Sequence, residues 1–292
     1  MRRFIIGFII TIIFLAFVIG QCNNTVGYGD SELNSFCSDD VERNEEIMQA
    51  VQETTTEKSV VEVGESNMDE IVRLPEHIPS QLLSRTAYCL SYNRGTLCPN
   101  WVAWNLTAEH ADGEWARSND YREDYDVPSP RATNEDYRGS SLSRGHMCPA
   151  GDCKWDANAM SETFLLSNIC PQDRSLNSGL WNRIEMDCRK WAQMYGSVYI
   201  VCGPVLYNKE HETIGVDKVV VPEAFFKVIL CLQETPKAIG FVVKNNAGTK
   251  KKDQYVNTVD EVERITGYDF FPALPDDIEN EVESHASIDD WR

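Results

Sequence analysis

Three short motifs bring together His146, Asn168, Asn177, Glu185, Arg144 and Arg189. The first reads Ser143-Arg144-Gly145-His146-Met147-Cys148-Pro149-Ala150-Gly151-Asp152, and the second Ser167-Asn168-Ile169-Cys170-Pro171-Gln172. The third is Leu176-Asn177-Ser178-Gly179-Leu180-Trp181, followed by Glu185 and Arg189. An imidazole exchanges protons near neutral pH. Amide and carboxylate oxygens suit hard divalent cations, and a guanidinium fork matches a phosphate. Taken singly, each residue also has an ordinary structural use. A histidine can be a satisfied interior group, an Asn before a helix is commonly a cap, and Arg and Glu four apart form a weak surface pair.

Helical geometry makes the set more pointed. Leu180, Ile184, Cys188, Trp191 and Tyr195 recur at steps of 4, 4, 3 and 4, which predicts an amphipathic helix. At 3.6 residues per turn, Asn177 to Glu185 advances about 80° around the axis, and Glu185 to Arg189 adds about 40°. If the helix includes Asn177, the three polar side chains share one arc away from the apolar seam. His146 can face that arc if Arg144-Gly145-His146 lies on a neighbouring strand, where Gly145 permits close backbone approach.

The elements that position these residues form an α+β pattern. Tyr88 to Tyr92 and Thr96 to Leu106 read as strands around an Asn93-Arg94-Gly95 turn. Ser197 to Val205, Phe225 to Leu232 and Ile239 to Val243 are short apolar runs suited to buried strands. A second helix is predicted from the Thr258-x-x-Glu261 capping box to Gly267. The expected architecture is an antiparallel sheet with helices packed on it.

These motifs resemble the DNA/RNA non-specific endonucleases of the ββα-metal class, across roughly residues 86–276. The similarity extends to Pro99-Asn100-Trp101-Val102-Ala103-Trp104, Asp136-Tyr137, Cys202-Gly203-Pro204, Thr258-Val259-Asp260-Glu261-Val262-Glu263 and Leu274-Pro275-Asp276-Asp277. The resemblance implies the ββα-metal nuclease fold, with a central antiparallel sheet flanked by helices. It also implies Mg²⁺-dependent (or Mn²⁺-dependent) hydrolysis of phosphodiester bonds. Position by position, His146 resembles the general base, its pKa expected near neutrality. Asn177 resembles the direct ligand of one divalent cation, and Glu185 the carboxylate that holds that cation's waters. Arg117, Arg144 and Arg189 resemble the arginines that grip phosphate. Asn168 matches a polar site residue that orients the base or a phosphate. Many relatives carry Asp before Arg-Gly-His, where this chain has Ser143.

The net charge of −19 argues against a broadly cationic nucleic-acid surface. The acidity, however, sits in the flanks. Residues 21–84 hold 14 acidic and 3 basic side chains, 275–292 hold 7 and 1, and residues 85–274 carry only −4. DNA and RNA are therefore expected to be held through the phosphate backbone by a few arginines.

Residues 1–20, with Arg2 and Arg3 before an apolar run, read as a signal peptide or membrane anchor. Lipid modification at Cys22 is a third option. All three place the chain in an extracytoplasmic compartment: secreted, periplasmic or anchored to the cell envelope. The expected organisation is leader 1–20, acidic flexible linker 21–82, endonuclease domain 83–276 and acidic tail 277–292. In an oxidising compartment the 10 cysteines are expected to pair, with Cys89–Cys98 across the hairpin as the best local candidate. Three other readings compete: a non-catalytic nucleic-acid-binding module, a hydrolase using Cys148 beside His146, and a zinc site from Cys148 and Cys153.

Overall fold

A computed structural model describes residues 71–233, 235–246 and 251–292. The leader, the Cys22 modification site and most of the acidic linker lie outside the described residues. The strands that matter for the site are β1 (Gln81–Ser84), β2 (Cys89–Asn93), β3 (Cys98–Thr107), β4 (Ser143–His146) and β5 (Ile169–Gln172). They are followed by β6 (Ser197–Val205), β7 (Ala224–Cys231), β8 (Lys237–Lys244) and β9 (Val256–Asn257). Seven of these make one sheet in the order β9-β8-β7-β6-β3-β2-β1, antiparallel throughout. Strands β4 and β5 form a separate antiparallel pair.

The central strands are apolar without alternation because both faces of the sheet are covered. Along β7, Phe225 meets Trp181 on one side at a ring separation of 5.6 Å. The next residue, Phe226, meets Phe270 on the other at 5.4 Å. The first face carries helix α1 (Asn182–Tyr195), which buries Ile184, Cys188, Trp191 and Ala192 as its periodicity predicts. The other carries α2 (Val259–Thr266). Thr258 caps α2 by accepting the Glu261 amide at 3.1 Å, and Gly267 ends it in the left-handed region at φ 74°. The expected reciprocal half of the capping box is not made, because the Glu261 carboxylate pairs with Arg264 at 2.6 Å.

Three expectations need correction. The domain begins before residue 83: Val72 is buried, and Gln81–Ser84 is the edge strand of the sheet. The segment after Pro275 is not a free acidic tail. It forms α3 (Asp276–Ser284), which buries Val282, and ends on Trp291, which lies against Trp191 at 4.6 Å and is 2% exposed. A negative composition concealed two well-placed apolar anchors. The Cys89–Cys98 bridge is absent as well. The hairpin turns later than expected and carries a register shift, so Cys89 pairs with Ala103, and Cys98 with Asn93. Cys89 and Cys98 are both buried free thiols.

If the C-terminal segment is structural, Trp291→Ala should cost about 3 kcal/mol, the lower end for a buried aromatic truncation. Urea denaturation of the two proteins checks this, and an unchanged midpoint would contradict a structural role for the segment.

Candidate active site

Strand β4 carries His146 opposite Ile169 of β5, with Gly145 opposite Cys170. A side chain at Gly145 would place its Cβ 2.4 Å from Gln172 Oε1, so the glycine is a requirement of close pairing. Asn168 fixes the same region. Its Oδ1 accepts the Cys148 amide at 2.9 Å, and its Nδ2 donates to the carbonyls of Cys148 and Thr163, both at 2.9 Å. Asn168 is fully buried with both ends of its amide engaged by backbone. It clamps the chain two residues beyond His146 and has no donor left for a phosphate.

The imidazole of His146 is only 7% exposed. It lies beside the rings of Phe164 at 4.9 Å and Tyr121 at 5.4 Å. Its Nε2 is buried without a hydrogen-bond partner. Burial, and then the Arg117 charge, pull its pKa down to about 3, so the ring is neutral at every ordinary pH. The expectation of titration near neutrality is thereby corrected: the sequence shows the imidazole and conceals its desolvation.

Asn177 opens a π-turn, Asn177–Trp181, between the short helix Arg174–Leu176 and α1. Asp173 starts the run by accepting the amides of Ser175 and Leu176, each at 2.9 Å. The angular reckoning from Asn177 to Glu185 assumed a regular α-helix and holds only from Asn182 onward, because the π-turn inserts extra backbone. Ser143 then explains itself. Its hydroxyl donates to the Gln172 carbonyl at 2.8 Å and accepts Asn177 Nδ2 at 3.0 Å. The amide of Asn177 is thus turned with its nitrogen toward Ser143, and its oxygen is not used in that bond.

Beneath α1 lies a group of charges. Arg189 Nη1 meets Asp152 Oδ1 at 2.6 Å, and Trp104 Nε1 donates to Asp152 Oδ2 at 3.1 Å. Glu185 is half-buried, and burial, with the neighbouring Asp152 charge, pushes its pKa up to about 7 against the pull of Lys227, Arg189 and Arg117. Lys227 was missed by the sequence reading. It is fully buried, its Nζ makes no hydrogen bond, and it stands 4.6 Å over the Trp181 ring and 5.0 Å over that of Trp104. A lysine inside Phe-Phe-Lys-Val-Ile-Leu was the available signal.

The other two arginines stand on aromatic faces. Arg117 lies 4.9 Å over Phe164, and Arg144 lies 5.1 Å over Tyr121 and 5.5 Å over Tyr137. Tyr121 and Phe164 therefore frame both His146 and the guanidinium groups, and no periodicity marked either. The structure gathers Arg117, Arg144, Tyr121 and Phe164 about His146, Ser143 against Asn177, and Glu185 with Arg189 over Asp152 and Lys227.

The cysteine alternatives lose support. Burial pushes the Cys148 thiol well above its ordinary range, leaving no thiolate nucleophile. Cys148 and Cys153 sulfurs lie 3.7 Å apart, yet no third ligand joins them among the described residues.

The central antiparallel sheet with helices on its two faces is the architecture of the ββα-metal nucleases. The family model described as DNA/RNA non-specific endonuclease matches residues 70–277, and the chain belongs to that family. It is 38% identical to "Nuclease EXOG, mitochondrial" of Mus musculus over 222 residues, 70% of this chain and 60% of the relative. It is 34% identical to "Endonuclease G, mitochondrial" of Homo sapiens, covering 67% of this chain and 71% of the relative. The solved EndoG/EndoGI complex superimposes with a TM-score of 0.64 at 31% identity, covering 68% of this chain and 90% of that one. The chain thus spans about three fifths of the length of the EXOG relatives.

The expected extracytoplasmic location does not stand, because these EXOG and endonuclease G relatives are named mitochondrial. A basic, apolar N-terminus is read by more than one targeting system.

Desolvation of His146 has a consequence for stability. The imidazole binds its proton near 6.5 when exposed and near 3 in the fold, so between those values the unfolded chain holds more protons. Its contribution to stability is complete above about 6.5 and is lost as the pH falls toward 3. The melting temperature of His146→Asn should therefore decline less steeply than that of the parent between these values; parallel curves would contradict the burial.

Proposed function

We propose that the chain is a divalent-metal-dependent endonuclease that cuts DNA and RNA through backbone contacts, with His146 as its general base. The observation that carries this is the neutral, buried imidazole whose Nε2 has no protein partner, set between two aromatic-borne arginines. A buried polar atom without a partner is costly unless something else meets it, and a water or a phosphodiester would. On attack, the oxygen–phosphorus bond forms on the water side, the bond to the leaving oxygen breaks, and the water proton passes to Nε2. The phosphodiester's own negative charge opposes that of Arg117 and raises the basicity of the ring when substrate is bound.

The donor set fits a hard cation. Asn177, its amide nitrogen held by Ser143, has an oxygen to offer, and Glu185, on the helix that follows, would add a carboxylate. Mg²⁺ or Mn²⁺ held there would supply positive charge against that developing on the phosphoryl and leaving oxygens. Arg117 and Arg144 receive the phosphate. Arg189, already paired with Asp152, orients the charges behind the site, and Asn168 is a positioning residue for the His146 segment.

General-base catalysis contributes about 10²–10⁴-fold. His146→Ala should therefore lose at least about 2.7 kcal/mol of barrier lowering in single-turnover cleavage, while DNA affinity survives. Near-normal cleavage by the folded variant would end the mechanism. The pKa of Glu185 near 7 adds a second expectation. Its protonated form does not hold a cation, so the Mg²⁺ concentration for half-maximal rate should rise as the pH falls through 7. In Glu185→Gln that concentration should be higher and nearly independent of pH; a variant that follows the parent curve would remove Glu185 from the metal site.

A further inference from the structure

On the sheet face away from the proposed active site, two helices converge on a concentration of like charge. Asp260 and Glu263 lie three residues apart on α2, and Glu283 reaches them from α3, with carboxylate oxygens all within 4.8 Å of one another. Asp269 and Glu279 add negative charge around them. Arg73 answers only part of it, being held by Asp269 at 2.7 Å. Proximity of acids alone would mean little. Glu283, however, is only 8% exposed, and its Oε1 is buried without a hydrogen-bond partner. A buried carboxylate aimed at two others, with no donor supplied by the protein, is a group waiting for a positive charge.

We propose that Asp260, Glu263 and Glu283 form a structural site for a hard divalent cation of the calcium class, which ties α2 to α3. Two ligands of one ion are separated by at most twice the bond length. That is about 4.6–5.2 Å for Ca²⁺ at 2.3–2.6 Å, but only about 4.0–4.2 Å for Mg²⁺. The three oxygens lie within 4.8 Å of one another, inside the span that calcium allows. One oxygen of Glu263 is already oriented by the Phe270 amide at 2.7 Å, which fixes the carboxylate in place. Asp260 is exposed, so waters complete the shell that calcium requires. In the absence of the ion the crowding is relieved by a proton: burial, with Glu263, Glu279, Asp260 and Asp269, pushes Glu283 up to about 8. Binding of the cation displaces that proton.

The proposal is independent of the catalytic reading, and the test separates them. Calcium is titrated into the EDTA-stripped full-length Asn177→Ala protein, which lacks the direct ligand proposed for the catalytic ion. A saturable heat of binding and a rise in melting temperature are expected. Adding Glu283→Gln should abolish both, and Asp260→Asn, at an exposed position, should weaken binding by about 10-fold or more. Glu283→Gln in an otherwise unchanged chain should cleave DNA at the parent rate in saturating Mg²⁺. No calcium binding by the Asn177→Ala protein, or binding indifferent to both acidic substitutions, overturns the site. The cluster would then be a proton-holding pair, and stability would fall as the pH rises through about 8.

Discussion

Two carboxyl groups and two cations, Asp152, Glu185, Lys227 and Arg189, share a space beneath α1 from which water is largely excluded. Removing an ion from water costs several kcal/mol even after relaxation, and only nearby opposite charge and good hydrogen bonds recover it. Asp152 meets that demand with Arg189 and the Trp104 indole. Lys227 does so differently: it has no oxygen partner and rests on the faces of Trp104 and Trp181. Burial works against its charge, but Cys202, Glu185, Cys188 and Asp152 more than offset that and hold its pKa above the ordinary value. The turn at Asp152, the sheet at Lys227 and the helix at Glu185 and Arg189 are consequently bound into one electrostatic unit. Displacing any one of them leaves a buried charge unanswered.

That unit sets the ground on which the second design feature works. Around His146 and Asn177, several polar side chains are engaged with backbone and with one another. Asn168 uses its whole amide to clamp Cys148 and Thr163, and Ser143 divides its hydroxyl between the Gln172 carbonyl and Asn177. His146 Nε2 and both polar atoms of the Gln172 amide are buried there without a partner. In the proposed mechanism, holding His146 Nε2 and the Asn177 amide in advance would spare reorganisation in the reacting step. Ser143 illustrates how this tolerates substitution. A hydroxyl accepts a hydrogen bond from Asn177 as a carboxylate would, without adding a negative charge.

The sequence made the buried strands legible because a sheet covered on both faces demands unbroken apolar runs, and β6 begins and ends where Ser197 to Val205 suggested. Helix α1 was readable for the same reason, since its seam must follow 3.6 residues per turn. His146, Asn177, Glu185 and the arginines were singled out through their motif order. What escaped was whatever depends on tertiary geometry. The π-turn at Asn177 has no composition of its own. Tyr121 and Phe164 sit outside any periodic element. The hairpin turns after Asn93, which pairs with Cys98, so Cys89 and Cys98 stand apart although their spacing looked symmetrical. Burial of His146 is likewise a property of its neighbours, which is why its type was evident and its proton affinity was not.

The manner in which the arginines are held bears on how so acidic a chain can meet a phosphate. A guanidinium fixed by a carboxylate is well oriented but largely neutralised, and Arg189 is in that state against Asp152. A guanidinium laid over an aromatic ring is oriented by the ring's quadrupole and keeps most of its donors and all of its charge. Arg117 on Phe164 and Arg144 on Tyr121 and Tyr137 are held in this second way. With only −4 over residues 85–274, the field at His146 is set by these two unneutralised groups far more than by the overall balance of −19. Charges separated by more than about 8–10 Å are largely screened in salt solution. A few ring-mounted arginines thus concentrate positive potential about His146, where the proposed mechanism sets the phosphodiester, and the rest of the surface need not be basic at all.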